Sequence, residues 1–538
     1  MSTTKSPAKA SSTVQDGTGD LHSGTGLVQG GTSQVSALPR ESFSRWLMWS
    51  CVLIAVILRV VEYVNNRSFW YDEVALVQNI IHRSYPLLMQ PLDHEQGAPL
   101  LFLWIEKFVI SRFGISEYAF RLFPFACALL SVPMFVTLAR RFLKSWQLAF
   151  AVALFAFDDV LIRYSSEVKQ YGPDVALGLG ITLAALKYSE SRSLGWLLAV
   201  TGIGAVAIGC SFPAVLVAGA VAIAMAVSLP KNSWRNLGHF VFATSAWVAS
   251  FAALYLCQLR NLAPLRVQLE LYPGDAYVPH TILEIMQWAP RMMDQFSRRT
   301  LGLALPASYL IAVGIYLFAR QRKLQSSDKY DDCLQRDIFV LAFPLVPMLI
   351  LSCMHLYPMM GRFQLFLAPM SFICIARSLS LISNRFILRV IVAIAILFYP
   401  ISCQAKFLIH PRCLEDVRGA VQYLRAHRQN GDAIFVFNRS ADAFQYYSRL
   451  YSWDWSNVIV GDTTEISDPN WNEQILKSSR GKSRVWILAS HRLVGLDPAP
   501  WYSSMIHWFD SSGRLIQKQE FVDAEVREYD LSHQEPHI

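Results

Sequence analysis

The chain has 538 residues, of which 53% are hydrophobic and only 16% charged, and its mean hydropathy is +0.30. That excludes an ordinary soluble enzyme and fits a protein built from many membrane-spanning helices. The net charge of +8 does not mark a nucleic-acid binder, because Lys and Arg gather in short connections between apolar runs, where they set orientation.

Residues 1–43 are rich in Ser, Thr, Gly and Ala with few large apolar side chains. They cannot bury enough surface to fold and are expected to form a disordered cytoplasmic tail. The apolar run from Trp46 is too long for a signal-peptide core and lacks a small-residue cleavage pattern, so it is expected to be a retained first span. Apolar runs of spanning length follow near 119–139, 146–162, 174–190, 195–211, 212–229, 238–257, 301–319, 338–354, 363–381 and 386–404, about eleven spans with the first at 45–64. Basic clusters at Arg140-Arg141 with Lys144, Lys187 with Arg192, Lys231 with Arg235, Arg320 to Lys323, and Arg385 with Arg389 alternate with less basic connections. The positive-inside rule places these clusters and the N-terminus in the cytoplasm. The outer face then receives the loop 65–118, the turn 163–173, the loop 258–300, the segment 355–362 and everything after about 405.

Within the first outer loop, Gly97 to Phe113 is apolar but interrupted by Glu106-Lys107, which suits an amphipathic interfacial helix better than a span. The nine cysteines show no paired spacing and read as small core hydrophobes. From about 405 to 538 the composition turns soluble and predicts a small α/β domain. Helices are expected at 416–427, 440–450, 470–477 and 498–508, with strands at 433–437, 458–460, 485–489 and a final pair near 514–530. No glycine-rich phosphate loop follows any of these strands, which argues against a nucleotide site.

Four polar constellations lie on the outer side of this topology. Asp72-Glu73 follows Ser68-Phe69-Trp70-Tyr71 at the membrane surface, where a carboxylate ionises without entering hydrocarbon; a solvated loop pair or a helix N-cap would use the same residues. Asp93-His94-Glu95 precedes the interfacial helix and reads either as a polar loop or as a divalent-metal site. The turn Arg163-Tyr164-Ser165-Ser166-Glu167-Val168-Lys169-Gln170-Tyr171-Gly172-Pro173 is denser in polar groups than a plain hairpin between spans requires. His355 to Arg362 precedes a late span, and its arginine alone would read as a snorkelling anchor. Cations of the last two groups facing carboxylates of the first would suit a phosphate leaving group and a hydroxyl nucleophile.

Arg59, then Ser68-Phe69-Trp70-Tyr71-Asp72-Glu73, then His94-Glu95-Gln96-Gly97-Ala98-Pro99, with Phe113 to Pro124 and the Tyr164 to Tyr171 turn, resemble membrane glycosyltransferases of the GT-C class. Within that class the sequence is similar to the branch of protein O-mannosyltransferases, lipid A aminoarabinose transferases and rhizobial galacturonosyltransferases. The resemblance implies a GT-C helical membrane domain over 44–404, with an extracytoplasmic α/β domain at 405–538. It implies a polyprenyl-phosphate-linked sugar donor, an acceptor hydroxyl on lipid, glycan or protein, and transfer with inversion at the outer face of the inner (plasma) membrane. Asp72 would be the general base, with Glu73 orienting the acceptor or supporting Asp72. His94, Glu95, Glu167, Lys169, Tyr171, His355 and Arg362 would form the substrate site, Lys169 and Arg362 holding the lipid phosphate. Gln96-Gly97-Ala98-Pro99 departs from the family's more usual His-Pro-Pro or Lys-Pro-Pro, which leaves open whether His94 and Glu95 meet sugar or a divalent metal ion. A transporter of lipid-linked sugars and an inactive scaffold relative are the rival readings; the charges sit at outer helix ends rather than at the bilayer midplane, where transporters bind.

Overall fold

Apolar runs become helices wherever the sequence lets backbone polar groups satisfy each other inside hydrocarbon. The computed structural model describes residues 37–94, 96–229, 233–261, 274–304, 307–324, 344–382, 386–451, 453–461, 483–494, 497–498 and 500–532. The N-terminal segment 1–36, Glu95, Lys231, Arg385 and the expected helix at 470–477 lie outside the described residues.

The first ten helices are α1 (Ala37–Val64), α2 (Tyr71–His82), α3 (Leu100–Phe113), α4 (Glu117–Phe142), α5 (Ser145–Phe157), α6 (Asp159–Arg163), α7 (Tyr171–Ser191), α8 (Leu194–Cys210), α9 (Ala214–Val227) and α10 (Trp234–Cys257). Ile282–Gln295, Ser308–Leu324, Leu345–Cys353, Ala368–Ser378 and Phe386–Ile409 follow. A helix therefore stands at each of the eleven expected runs. Among the described residues, five segments are long and apolar enough to cross a membrane: Ser42–Val64, Glu117–Phe142, Trp234–Asn261, Gly361–Leu381 and Ile387–Ile409. A sixth forms if α5 and the short helix after it, bent by 47°, count as one. The bend sits at Asp158, whose buried carboxylate accepts the N–H groups of Val160 and Leu161 and so restarts the helix. The shorter runs differ for a physical reason. α8 has 17 residues, or about 25 Å of helix, against a hydrocarbon core of about 30 Å.

Around the first outer loop, Ser116 caps α4 through the N–H of Ala119, and α3 ends at Gly114 with φ +82°, a left-handed value that suits glycine. α3 forms over the run interrupted by Glu106-Lys107, with Glu106 buried. Lys107 Nζ donates to the carbonyls of Ile80 and Ile81, closing the C-terminal end of α2. α7 packs against α4, α8 and α9. Its start comes so near the preceding turn that a Cβ at Gly172 would lie 2.9 Å from the carbonyl oxygen of Tyr164. Only glycine permits that approach, and it fixes where Lys169 emerges.

The C-terminal region alternates helix and strand as expected. Val417–His427 is capped by Asp416, and Asn438–Arg449 and Pro500–Ser512 follow. β1 (Ala433–Val436), β2 (Val458–Val460), β3 (Arg484–Ser490), β6 (Arg514–Phe521) and β7 (Ala524–Asp530) form one sheet in the order β2-β1-β3-β7-β6; β4 (Leu493–Val494) and β5 (Asp497–Pro498) form a separate short pair. β1 runs parallel to β2 and β3, while β7 is antiparallel to β3 and β6. Strand alternation divides the core in two. Phe435, Ile487 and Tyr529 pack with Met505 and Phe509 on one face. Ile434, Val436, Trp486 and Leu488 share the other face with Val421, Leu424 and Phe444, and this second core continues into Phe69, Val77, Leu103 and Phe120 of the first outer loop and α4. The C-terminal region and the loop carrying Asp72 are thus built around the same apolar interior.

Candidate active site

α2 opens with two acidic residues in its first turn, where the helix dipole and unpaired N–H groups favour negative charge. Asp72 and Glu73 are neighbours in sequence but enter different surroundings. Glu73 is fully buried and forms a two-pronged pair with Arg121 of α4, with Nε to Oε1 at 3.1 Å and Nη2 to Oε2 at 2.8 Å. The N–H of Val168 donates a third bond to Glu73 Oε1 at 3.0 Å. Arg121 also donates to the Arg67 carbonyl and stacks over Phe69. Burial alone raises the Glu73 carboxyl, but Arg121 and Arg67 outweigh it and hold the group ionised below its ordinary range.

Asp72 turns to the partly open side. Its Oδ2 accepts from Arg362 Nη1 at 2.9 Å, and its Oδ1 lies 3.1 Å from Lys169 Nζ and accepts from Gln96 Nε2 at 3.2 Å. Lys169 Nζ also donates to Gln96 Oε1 at 2.7 Å, so one amide bridges acid and base. Burial raises the Asp72 carboxyl; Lys169 and Arg362, with the hydrogen bonds from Lys169 and Gln96, reverse that and hold it at about 2. Asp72 keeps 17% of its side-chain surface exposed and Arg362 27%, against 5% for Lys169. The trio therefore has an open edge at the arginine. Gly361 precedes that arginine with φ +31°, and the guanidinium stacks over Tyr171, 5.5 Å from the ring centre.

The structure brings Asp72, Lys169, Arg362 and Tyr171 together, with Glu73 directly behind. Glu167 sits one layer deeper, fully buried between Arg67 and Arg163 at 3.4 Å from each, and its carboxyl is raised by burial despite Arg163. It organises the arginines rather than the open edge. His94, at φ +58°, faces the C-terminal domain, its Nε2 lying 3.2 Å from Asp442 Oδ2. His355 packs its ring against Tyr277 and His280, at 4.9 and 5.0 Å. Glu95 lies outside the described residues. Among the described residues, the group of three metal-ligating side chains that comes together is Glu415, His491 and Asp523, with one possible ligand atom each within 4.8 Å. None of these is among the residues singled out from sequence. In the sequence Gln96 stands out only as a departure from the family pattern, and Arg121 only within the Phe113 to Pro124 stretch of the resemblance. Their roles depend on contacts across the loop, which no local pattern reveals.

The profile of the dolichyl-phosphate-mannose-protein mannosyltransferase family matches residues 97–256. No curated protein matches the sequence. Among solved structures, the chain is similar to ArnT from Cupriavidus metallidurans bound to undecaprenyl phosphate, at 12% identity and a TM-score of 0.54, covering 92% of this chain and 100% of that one. It is also similar to the Archaeoglobus fulgidus oligosaccharyltransferase in its apo form, at 11% identity and a TM-score of 0.50, covering 90% of this chain and 81% of that one. At such identities the likeness concerns the fold, and it extends over nearly the whole chain. The chain thus carries a segment that matches the dolichyl-phosphate-mannose-protein mannosyltransferase model, set within a fold like that of ArnT and the archaeal oligosaccharyltransferase.

Proposed function

We propose that the protein moves a sugar from a polyprenyl-phosphate donor to an acceptor hydroxyl, with inversion, at the outer face of the inner (plasma) membrane. The C-terminal domain would lie on the same side. The observation that carries this reading is the single carboxylate, Asp72, bonded by two cations at a partly open edge. The undecaprenyl phosphate in the similar ArnT structure supports a lipid phosphate as the group those cations meet.

In the step itself, the acceptor oxygen attacks the anomeric carbon while the bond from that carbon to the phosphate oxygen breaks. The bonding pair leaves with the lipid phosphate, and the acceptor proton passes to Asp72. Lys169 and Arg362 neutralise the charge that develops on the leaving phosphate, and do so most strongly where water is scarce. The same cations link donor binding to basicity. While they face Asp72 its carboxylate is a poor proton acceptor; as a phosphate takes over their bonds, the carboxylate rises toward its ordinary range. Glu73, with both oxygens committed to Arg121 and Val168, supports α2 rather than touching the acceptor. A lipid, a glycan or a protein serves this chemistry equally as acceptor, since each offers a hydroxyl.

The test is transfer of labelled sugar from a panel of polyprenyl-phosphate sugars by wild type and Asp72→Asn in lipid, with undecaprenyl phosphate binding measured alongside. Wild-type transfer from at least one donor, with a loss of roughly 10²- to 10⁴-fold in the variant and lipid binding retained, supports the reading. Equal transfer by both proteins removes Asp72 as the base. Movement of the lipid across the bilayer without any transfer removes the reaction itself.

A further inference from the structure

The first N–H groups of a helix need acceptors; at α2 the Trp70 carbonyl takes those of Glu73 and Val74, but Trp70 stands at the N-cap in extended conformation with no side-chain capping bond, and the N–H of Tyr71 turns to a distant acceptor. The acceptor comes from elsewhere. Glu415 lies 344 residues along the chain, between the last long helix and the C-terminal domain's first helix, and its Oε2 accepts the N–H of Tyr71 at 3.2 Å. The other oxygen, Oε1, lies 2.8 Å from Nδ1 of His491, so that nitrogen carries the proton. The His491 ring in turn stacks on Tyr71, 4.8 Å between centres and 24° between planes. Glu415 is 3% exposed and His491 29%.

Three separate segments build this clasp. His491 leaves β3 with φ +55° and donates its N–H to the Asp523 carbonyl, in the turn between β6 and β7. Asp416, next to Glu415, donates its N–H to Val522 of the same turn. The C-terminal domain thus presents a carboxylate, held from both sides, to the helix end that bears Asp72.

We propose that Glu415 and His491 are positioning residues for transfer: they cap α2 from the C-terminal domain and thereby hold Asp72 in register with Lys169 and Arg362. The inference rests on the reading of Asp72 as the base. A shift of the helix start by a fraction of an ångström moves that carboxylate relative to the reacting hydroxyl, and misplacements of about 1 Å lower rates by about 100-fold. The soluble domain is in this respect part of the catalytic geometry rather than a cover above it.

The experiment uses the full chain in lipid with Glu415→Ala, Glu415→Gln, His491→Ala and His491→Asn. Gln retains an acceptor for Tyr71, and Asn tolerates the left-handed backbone at 491 while keeping a donor. Two readouts are taken: kcat and KM for transfer from the donor that wild type uses, and hydrogen exchange of the amides at 71–74. The expected result for the two alanine variants is a fall in kcat of about 10- to 100-fold with KM within about 2-fold, and faster exchange at 71–74. Exchange in β1, β3 and β7 stays unchanged, and Gln and Asn restore most of both losses. Unchanged exchange at 71–74, or an equal loss with Gln and Ala, overturns the proposal. A wild type stripped with EDTA that reproduces the Glu415→Ala defect also overturns it, since Glu415, His491 and Asp523 would then act as metal ligands. Should wild type transfer no sugar, the exchange readout still decides whether Glu415 holds α2, and it is the reading of the reaction that falls.

Discussion

Asp72 and Glu73 share a helical turn and a charge, yet one sits against an open edge and the other in a closed chamber. Glu73 meets a guanidinium squarely and a backbone N–H besides, with no surface left exposed. Asp72 meets its cations by single contacts, and the arginine among them reaches solvent. A buried ion pair satisfied on every side fixes structure, whereas one with an accessible cation can exchange its partner for a ligand. Two adjacent acids thereby differ in surroundings: one fastens α2 to α4, the other keeps the accessible face that the proposed reaction uses.

The contrast breaks most visibly in stability. Removing one partner of the closed pair, in Glu73→Ala or Arg121→Ala, is expected to destabilise the protein by about 3–5 kcal/mol, because a buried charge is left unpaired. Replacing both with Met recovers most of that loss, and Asp72→Ala costs far less. Thermal unfolding in lipid measures all four; equal losses for Glu73→Ala and Asp72→Ala would erase the distinction.

A second effect sharpens the open side. With both cations present the Asp72 carboxyl is held at about 2, so it stays ionised through the whole ordinary carboxylate range and kcat/KM shows no acid limb there. Lys169→Gln or Arg362→Gln withdraws one cation, lets the carboxyl rise, and moves an acid limb upward by roughly one pH unit. The stability linkage has the same sign: the depressed group stabilises the fold above its unfolded value, and that contribution fades as pH falls toward 2. A profile of kcat/KM unmoved by either variant would separate those cations from the base. The smallest effect belongs to the bridging amide. Gln96→Leu removes the amide's hydrogen bonds to Asp72 and Lys169, about 1 kcal/mol each, with its exposed bond to the His94 carbonyl, so transfer drops about 5- to 10-fold while the unfolding temperature holds.

Much of this arrangement was legible in the amino-acid order. Span periodicity, the positive-inside rule and the interrupted run at Glu106-Lys107 predict that Asp72, Lys169 and Arg362 share one set of helix ends, and the three side chains do meet. Among the described residues, the helices and strands of the C-terminal domain stand where their periodicity and turn signals predict them. Partner choice was not legible. Nothing near His94 announces that it faces Asp442, and nothing near Glu415 announces that it caps a helix more than 300 residues earlier. Those pairings follow from the apolar core shared between Phe69, Phe120, Phe444 and Trp486, a tertiary fact with no periodic signature. Helix breaks are equally illegible: hydropathy measures how apolar a run is, not whether a buried Asp158 will bend it.

The Asp72 trio also has an electrical consequence. Two cations and one carboxylate leave one positive charge, the match for the single negative charge of a phosphodiester donor. On the proposed reading, transfer places a proton on Asp72 as the lipid phosphate becomes a monoester carrying nearly two negative charges. Both sides of the balance change together, so the site reaches products without the imbalance that a low-dielectric setting penalises most. Neutrality then belongs to the product complex as much as to the donor complex. Departure of the spent lipid and loss of the proton from Asp72 become a single event, and turnover slows as the medium grows more acidic even where the chemical step does not.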